Sequence, residues 1–217
     1  MQDGPNPLIE HFKADRALKE LEIDSDTIKM ALKMGYLGSP ACWIPFLWPF
    51  QVVQALPVMV CCALSAADEV AKAHHLVLRE HSIEYRVEKY PEIVSATNDA
   101  MMFVPACCCS GIINPKPGGF HQVFPLEDVT EIRLQKSQTE CCGSRTAPDT
   151  LVLKVSSYYD GIVAAAAIDA PKDANDFIAL VNEQQAKSRA AGGVLHADMR
   201  AKYNRYLQGA GVGTTRG

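Results

Sequence analysis

The cysteines are the residues of this 217-residue chain whose type is best suited to chemistry, and most of them are adjacent in sequence. They occupy positions 42, 61, 62, 107, 108, 109, 141 and 142. A zinc site needs thiolates separated by two or more residues so that four sulfurs can surround the ion. A disulfide-exchange site needs a Cys-x-x-Cys motif, which is missing. We therefore expect no metal ligands and no cofactor, although a thiol- or metal-dependent protein stays a third interpretation.

Five of the cysteines are candidates for lipidation. They end an apolar stretch or lie in a long loop that can face a bilayer: Cys61, Cys62, Cys107, Cys108 and Cys109. Cysteines at a membrane boundary are common palmitoylation sites, and each acyl chain strengthens anchoring. Cysteine is also a small hydrophobic residue that packs inside apolar elements, so buried thiols are the alternative interpretation.

Catalytic motifs are missing from the sequence. The adjacent pair His74 and His75 would point about 100° apart on a helix, which makes the two rings poor co-ligands. We expect them to be polar residues at an interface. The sequence contains no nucleophile elbow, glycine-rich phosphate loop or His-Glu-x-x-His motif. It therefore predicts no catalytic residues and no enzymatic activity.

Charge limits the partners of the chain. The net charge is −4 and the pI about 5.9, whereas a nucleic-acid binder needs an excess of basic residues, so no nucleic acid is expected. Phosphorylated headgroups also demand several convergent Lys or Arg side chains. Residues 68–185 carry ten basic and seventeen acidic groups. The candidates for headgroup binding there are Arg79, Arg86, Lys89, Arg133 and Lys136.

The strongest feature of the sequence is the uncharged run, residues 34–67, which contains no Asp, Glu, Lys or Arg. Its most apolar part, residues 41–64, exceeds the roughly 20 apolar residues that a membrane-spanning helix needs. Aromatic residues cluster near its start, as they do at membrane interfaces. These aromatics are Trp43, Phe46, Trp48 and Phe50. The run predicts membrane association.

Three prolines complicate a straight span. Pro45, Pro49 and Pro57 each remove a backbone donor and would kink a helix. A bent or re-entrant element, or a helix lying in the interface, therefore competes with a straight crossing. Burial of the run against partner protein chains is a further alternative.

Beyond the uncharged run, the alternation of apolar and polar residues predicts antiparallel strands and a closing helix. The expected strands are residues 83–87, 120–124, 129–135, 151–155 and 162–168, and the expected helix is 172–188. Before the run, the spacing of Leu8, Phe12, Leu18 and Leu21 predicts a helix over residues 7–24. A second short helix is expected over residues 25–34, with Ser25 or Asp26 as its N-cap.

These patterns divide the chain into four parts. The parts are N-terminal amphipathic helices (1–34), an apolar membrane-associated segment (35–67), a strand-rich body (68–185) and a basic tail (186–217). The tail carries six basic residues and one acidic residue, so it is either solvated or drawn to an acidic surface. The N-terminal residues lack the patterns of a signal or transit peptide. We therefore expect reduced thiols and a body that faces the cytosol.

Several blocks of the body resemble bacterial-type pleckstrin-homology-like (PH-like) membrane proteins. Residues 123–132 resemble the strand written I-P-L-x-x-I-x-x-V in that family, and residues 135–143 resemble the segment that follows it. Residues 76–86 resemble its opening strand pair, although Glu80-His81-Ser82 replaces the usual Thr-Asp turn. Residues 168–177 resemble its last strand and closing helix. The insertion at residues 92–119 is unusually long for the family.

The resemblance implies an α+β fold, namely a PH-like antiparallel β-barrel capped by a C-terminal helix and preceded by the N-terminal helices and the apolar segment. It also implies a non-enzymatic, membrane-linked interaction or scaffold role, with membrane lipid and other proteins as partners. A structural subunit of a large assembly, with the uncharged run packed on partner chains, is the alternative. The sequence leaves the oligomeric state open.

Overall fold

The computed structural model of the chain contains two antiparallel sheets and several helices, an α+β arrangement. It describes residues 6–30, 64–90, 119–137, 140–141, 144–145, 148–157, 161–193 and 195–210. The strands are β1 (Ala17–Leu21), β2 (His74–Arg79), β3 (Ser82–Val87), β4 (Phe120–Pro125), β5 (Val129–Gln135), β6 (Glu140–Cys141), β7 (Ser144–Arg145), β8 (Thr150–Ser157) and β9 (Gly161–Asp169). The helices are α1 (Pro7–His11), α2 (Leu64–Ala73), α3 (Ala174–Ala190) and α4 (Ala197–Ala210), and residues 25–30 are also helical.

The first sheet has the strand order β1-β2-β3-β4, with every neighbouring pair antiparallel. Its centre is the β2–β3 hairpin, which confirms the strand predicted over residues 83–87. Ile83, Tyr85 and Val87 are buried on the face that meets the second sheet. Glu84 and Arg86 alternate with them and lie on the outer face, because successive side chains of a strand point to opposite sides.

The second sheet has the order β5-β8-β9 and is also antiparallel. All three strands lie where alternation predicts them. The short strands β6 and β7 form a separate two-stranded hairpin between β5 and β8. Residues 158–160, which connect β8 to β9, lie outside the described residues.

Both sheets and α3 enclose the main core. The helix confirms the prediction over residues 172–188, and it buries Phe177 and Val181 completely against the strands. Burial of a large apolar side chain of this kind stabilises a fold by about 1.5–3 kcal/mol. Other fully buried side chains of this core, among the described residues, include Tyr85, Leu76, Leu78, Ile83, Leu126, Leu151, Leu153, Ile168 and Val87.

The described strands do not close the barrel that the sequence analysis expects. A 3₁₀ turn at Leu126–Asp128 separates β4 from β5, and these two strands belong to different sheets. The sheets meet at one corner, where Asp24 N–H donates to Ala170 O and Lys172 N–H donates to Glu22 O, both at 2.8 Å. The coarser prediction of an α+β fold with antiparallel strands and a closing helix is confirmed.

The helix predicted over residues 7–24 is wrong in its second half. Only Pro7–His11 is helical, and Ala17–Leu21 forms the edge strand β1. The four apolar residues read as one helical face belong to two clusters. Leu8 and Phe12 pack in a small outer cluster, whereas Leu21 packs in the main core.

The second N-terminal helix is confirmed over residues 25–30, but its cap is not the predicted one. The side chain of Asp24 accepts hydrogen bonds from Asp26 N–H at 3.1 Å and from Thr27 N–H at 3.3 Å. Asp24 therefore satisfies the first free donors of the helix, which is the role of an N-cap. The hydrogen bond from the Thr27 hydroxyl is the largest influence that lowers the pKa of Asp24.

The C-terminal region is more structured than the predicted tail. Helix α4 lies within it and buries Tyr203 to 2% exposure against Leu8, Phe12 and Val123. Helices α1 and α4 therefore add a second layer on the outer face of the first sheet. The sequence does not predict this helix because its apolar residues are few and its charge suggests solvation.

Candidate functional site

The two flanks of the uncharged run lie in contact with each other. Lys29 Nζ, in the helical residues 25–30, lies 2.5 Å from Asp68 Oδ1 in α2. This hydrogen bond is the largest influence both on Lys29, whose pKa it raises, and on Asp68, whose pKa it lowers. The described residues on either side of the uncharged run therefore meet at this contact.

The first sheet fixes the position of both flanks. Strand β1 precedes the helical residues 25–30, and α2 continues directly into β2. Leu21 at the end of β1 is paired with Leu76 near the start of β2. Because β1 and β2 are hydrogen-bonded neighbours, the separation of the flanks is set by the sheet as well as by the ion pair.

The last two residues of the predicted membrane segment are buried. Residues 64–67 belong to the first turn of α2, where Ala66 and Ala67 are 0% and 1% exposed. Within the described ranges, no helix has the length and apolar character needed to cross a bilayer. Trp43, Phe46, Trp48, Phe50 and the lipidation candidates Cys61, Cys62, Cys107, Cys108 and Cys109 lie outside the described residues.

The five headgroup candidates are distributed over both sheets. Arg79 ends β2 and Arg86 lies opposite His75, so the two arginines occupy opposite ends of the β2–β3 hairpin. Lys89 is exposed beyond β3, whereas Arg133 and Lys136 belong to β5 and the residue that follows it. All three arginines have acidic neighbours: Arg79 Nη2 lies 2.6 Å from Glu84, Arg86 Nη2 lies 3.4 Å from Glu88, and Arg133 Nε lies 3.3 Å from Glu131. The fold does not gather the five into one group.

Arg79 belongs to a half-buried ion-pair network on the outer face of the first sheet. Its Nε and Nη2 atoms donate to Glu84 Oε2 at 2.8 and 2.6 Å, and its Nη1 atom donates to Asp15 O at 2.7 Å. His121 Nε2 lies 2.8 Å from the other carboxylate oxygen of Glu84. Glu84 is 8% exposed, so its charge is compensated by Arg79 rather than by water.

A cavity of about 190 Å³ lies between α1 and this network. Ile9, Phe12 and Val123 form its apolar wall, and the Arg79–Glu84 pair and His121 form its polar wall. The carboxylate of Glu84 neutralises the guanidinium of Arg79, so a phosphate entering the cavity would compete with a charge already in place. The sequence does not predict the network, because the strand face that carries Glu84 is covered by α1, which is distant in sequence.

The network predicts a pH-dependent contribution to stability. Burial, the largest single influence, raises the pKa of Glu84, but the hydrogen bond and charge of Arg79 together with His121 outweigh it, and the pKa lies below its ordinary value of 4.5. A carboxyl whose pKa is lower in the folded chain stabilises the fold above its unfolded pKa. This contribution is lost as the pH falls through the folded-state pKa.

We therefore expect the free energy of unfolding of wild type to be larger than that of Glu84→Gln at neutral pH. This difference should decrease below about pH 4.5. Urea unfolding of both proteins over a pH series measures this difference. A difference that is constant or grows in acid would contradict the assignment.

The histidine pair lies on β2 and not on a helix. His74 is hydrogen-bonded through Nε2 to the Tyr90 hydroxyl at 2.7 Å and through Nδ1 to the Tyr85 hydroxyl at 3.3 Å. Burial raises the pKa of Tyr90 to about 12. His75 points to the other face, where its Nδ1 lies 2.6 Å from Glu20. The two rings therefore serve different contacts, and they do not share a ligand site.

Helix α4 is held to the 3₁₀ turn by a second ion-pair group. Arg200 Nη1 donates to both carboxylate oxygens of Asp128, at 2.8 and 2.6 Å, and Arg200 Nη2 donates to Glu127. Gly193, at φ +84°, lies against Glu127, where any side chain would collide with the carboxylate. These contacts hold α4 onto the body. The sequence gives no signal for them because the partners are about seventy residues apart.

No group of three or more His, Cys, Asp or Glu residues in the described part of the chain is arranged to hold a metal ion. Comparisons with protein-family models, with curated proteins and with solved structures find no match to this chain.

Proposed function

We propose that this protein is a membrane-attached, non-enzymatic interaction module, in which the uncharged run tethers a PH-like body that faces the cytosol. This proposal is supported mainly by one observation: the 34-residue run contains no charged residue, and the residues on its two sides are in contact through Lys29 and Asp68. A stretch of this length without charge favours an apolar environment. The contact between the flanks holds the two ends of the run together on the body, from which the run can enter an apolar environment.

The contact between the flanks favours a particular kind of attachment. A single crossing of a bilayer separates the two ends of a segment by about 30 Å of hydrocarbon. The flanks of the run are joined at 2.5 Å, which is far less than the width of one crossing. The three prolines agree with a bent path. We therefore propose that the run enters and leaves the membrane from one side.

The order of elements supports a PH-like body. Four strands form one antiparallel sheet, three later strands form a second, and a helix after the last strand covers the core. The strands and the helix that follow the uncharged run agree with the order that the resemblance to bacterial-type PH-like membrane proteins implies, whereas β1 joins the first sheet from before the run. Lipid, together with other proteins bound by the body, is the proposed partner, and palmitoylation of the lipidation candidates would add to anchoring.

Vesicle flotation of the full chain tests the attachment. We expect wild type to float with phosphatidylcholine vesicles and the variant Val52→Lys/Ala55→Lys to bind at least about 100-fold more weakly. Lysine at the centre of an apolar segment costs about 3 kcal/mol per residue. The matched control is Asn182→Lys/Ala186→Lys, which places the same charges on exposed positions of α3 and should float like wild type.

Two results would contradict the attachment. Wild type that stays in the dense fraction would favour burial of the run against partner chains. Equal flotation of the two lysine variants would show that binding does not use the run.

A further inference from the structure

The cavity between α1 and the first sheet is large enough for a small organic molecule. Its volume of about 190 Å³ is greater than the roughly 150 Å³ of an engineered apolar cavity that binds benzene. In its apolar wall, Phe12 and Val123 are 2% and 3% exposed, and Ile9 of α1 completes that wall. A molecule of about eight to ten non-hydrogen atoms therefore fits the space.

Helix α1 is held over the cavity by contacts within the protein. Asn6, which is 3% exposed, donates from Nδ2 to Val123 O at 3.2 Å and accepts from Leu8 N–H at 2.9 Å. Tyr203 of α4 packs in the same cluster as Leu8 and Phe12. The cavity is therefore formed before a ligand enters, which lowers the cost of ordering the site on binding.

The charges that line the cavity are balanced. Arg79 is paired with Glu84 on the sheet, and Lys13 Nζ lies 3.8 Å from Glu10 Oε1 where both side chains are exposed. An anion in the cavity would be repelled by the carboxylate of Glu84, and a cation by the guanidinium of Arg79. A neutral molecule avoids both repulsions and leaves no uncompensated charge in a half-buried site.

The carboxylate of Glu84 can accept one more hydrogen bond. An ionised carboxylate has about four lone-pair positions. Arg79 Nε and Nη2 both donate to Oε2, whereas His121 Nε2 is the partner of Oε1 among the described residues. The pKa of Glu84 lies below its ordinary value of 4.5, so the group is ionised at neutral pH. A hydroxyl group can donate the remaining bond without bringing a charge.

We propose that this cavity binds a small neutral phenol or alcohol, whose hydroxyl group donates to Glu84 and whose apolar body packs against Ile9, Phe12 and Val123. The site goes beyond the proposed membrane attachment and does not depend on it. Its lining residues belong to α1 and the two residues that follow it closely, and to β2, β3 and β4. It adds a small-molecule ligand to the lipid and protein partners proposed for the body.

Titration of the full-length protein with 4-methylphenol, observed by nuclear magnetic resonance, tests this proposal. We expect a dissociation constant of about 1 mM or lower for a ligand of this size. Three compounds with the same ring serve as controls: toluene lacks the hydroxyl group, 4-methylbenzoate is an anion and 4-methylbenzylamine is a cation at neutral pH. Each should bind at least about tenfold more weakly than 4-methylphenol.

Two variants and one measurement on wild type locate the binding. Ile9→Trp fills the cavity and should weaken binding at least about tenfold. Asn182→Trp adds the same ring at an exposed position of α3 and should bind like wild type. Because Ile9→Trp can fail to fold, nuclear Overhauser contacts from the ring protons of 4-methylphenol to the methyl groups of Ile9 and Val123 are measured on wild type. We expect contacts to both residues.

The proposal is overturned if 4-methylphenol does not bind, if it binds without contacts to Ile9 and Val123, or if a folded Ile9→Trp binds it as tightly as wild type. Equal affinity for the anion or the cation would contradict the selectivity for a neutral ligand. Equal affinity for toluene would contradict the hydrogen bond to Glu84. None of these results changes the flotation of the chain with vesicles, so the proposed attachment is tested separately.

Discussion

Replacement of Phe177 by alanine should lower the free energy of unfolding by about 3–5 kcal/mol. The side chain is 0% exposed and packs in the core that contains residues of both sheets. Its removal loses the transfer energy of the ring and leaves a cavity that close-packed neighbours fill only in part. Urea unfolding monitored by circular dichroism measures the loss.

The neighbouring exposed residue Asn182 supplies the control, since Asn182→Ala on the same helix should change stability by less than about 0.5 kcal/mol. A loss below 1 kcal/mol for Phe177→Ala would mean that α3 does not close the core. The packing of the two sheets would then need another explanation.

Replacement of Arg79 by methionine is the second change with a large expected effect, about 3–5 kcal/mol of lost stability. Methionine keeps much of the side-chain volume but removes the guanidinium. Glu84 would then stay at 8% exposure without its strongest partner. A buried charge that loses its oppositely charged partner is costly, although His121 Nε2 still lies 2.8 Å from the other carboxylate oxygen.

The double variant Arg79→Met/Glu84→Met separates this cost from simple loss of packing. Because it removes both charges, it should be more stable than Arg79→Met alone. Thermal or urea unfolding of the four proteins in this cycle gives the coupling between the two residues. A double variant less stable than Arg79→Met would show that the carboxylate of Glu84 does not destabilise the fold when Arg79 is removed.

The strands of the body could be predicted because their signal is local. Ile83, Tyr85 and Val87 alternate with polar residues, and one face of the strand meets the core. The closing helix also carries its signal in its own sequence, since Phe177 and Val181 are four residues apart and face the strands together. Periodicity is sufficient wherever one element has one buried face.

The same reasoning fails where one segment contributes to two clusters. Leu8 and Phe12 contact the outer layer, whereas Leu21 contacts the core between the sheets. Because their spacing fits one helical face, it does not indicate that the chain changes from α1 to β1. Pairing with β2, more than fifty residues later, gives residues 17–21 their extended conformation.

The ion pairs of the candidate site depend on tertiary contacts, which local sequence patterns do not predict. Glu84 reads as an ordinary outer-face residue until α1 and His121 are placed over it. Arg200 reads as part of a solvated tail until α4 meets Asp128. The contact between Lys29 and Asp68 likewise has no local sequence signal, whereas the uncharged run between them is evident from the sequence.

The most direct test of the proposed tether uses the native tryptophans of the full-length protein. Both Trp43 and Trp48 lie in the uncharged run, so tryptophan emission reports on that run alone. With phosphatidylcholine vesicles the emission should move to shorter wavelength, and bromine on the lipid acyl chains should quench it. Emission that is the same with brominated and ordinary lipid would contradict insertion of the run and, with it, the attachment of this protein to membranes.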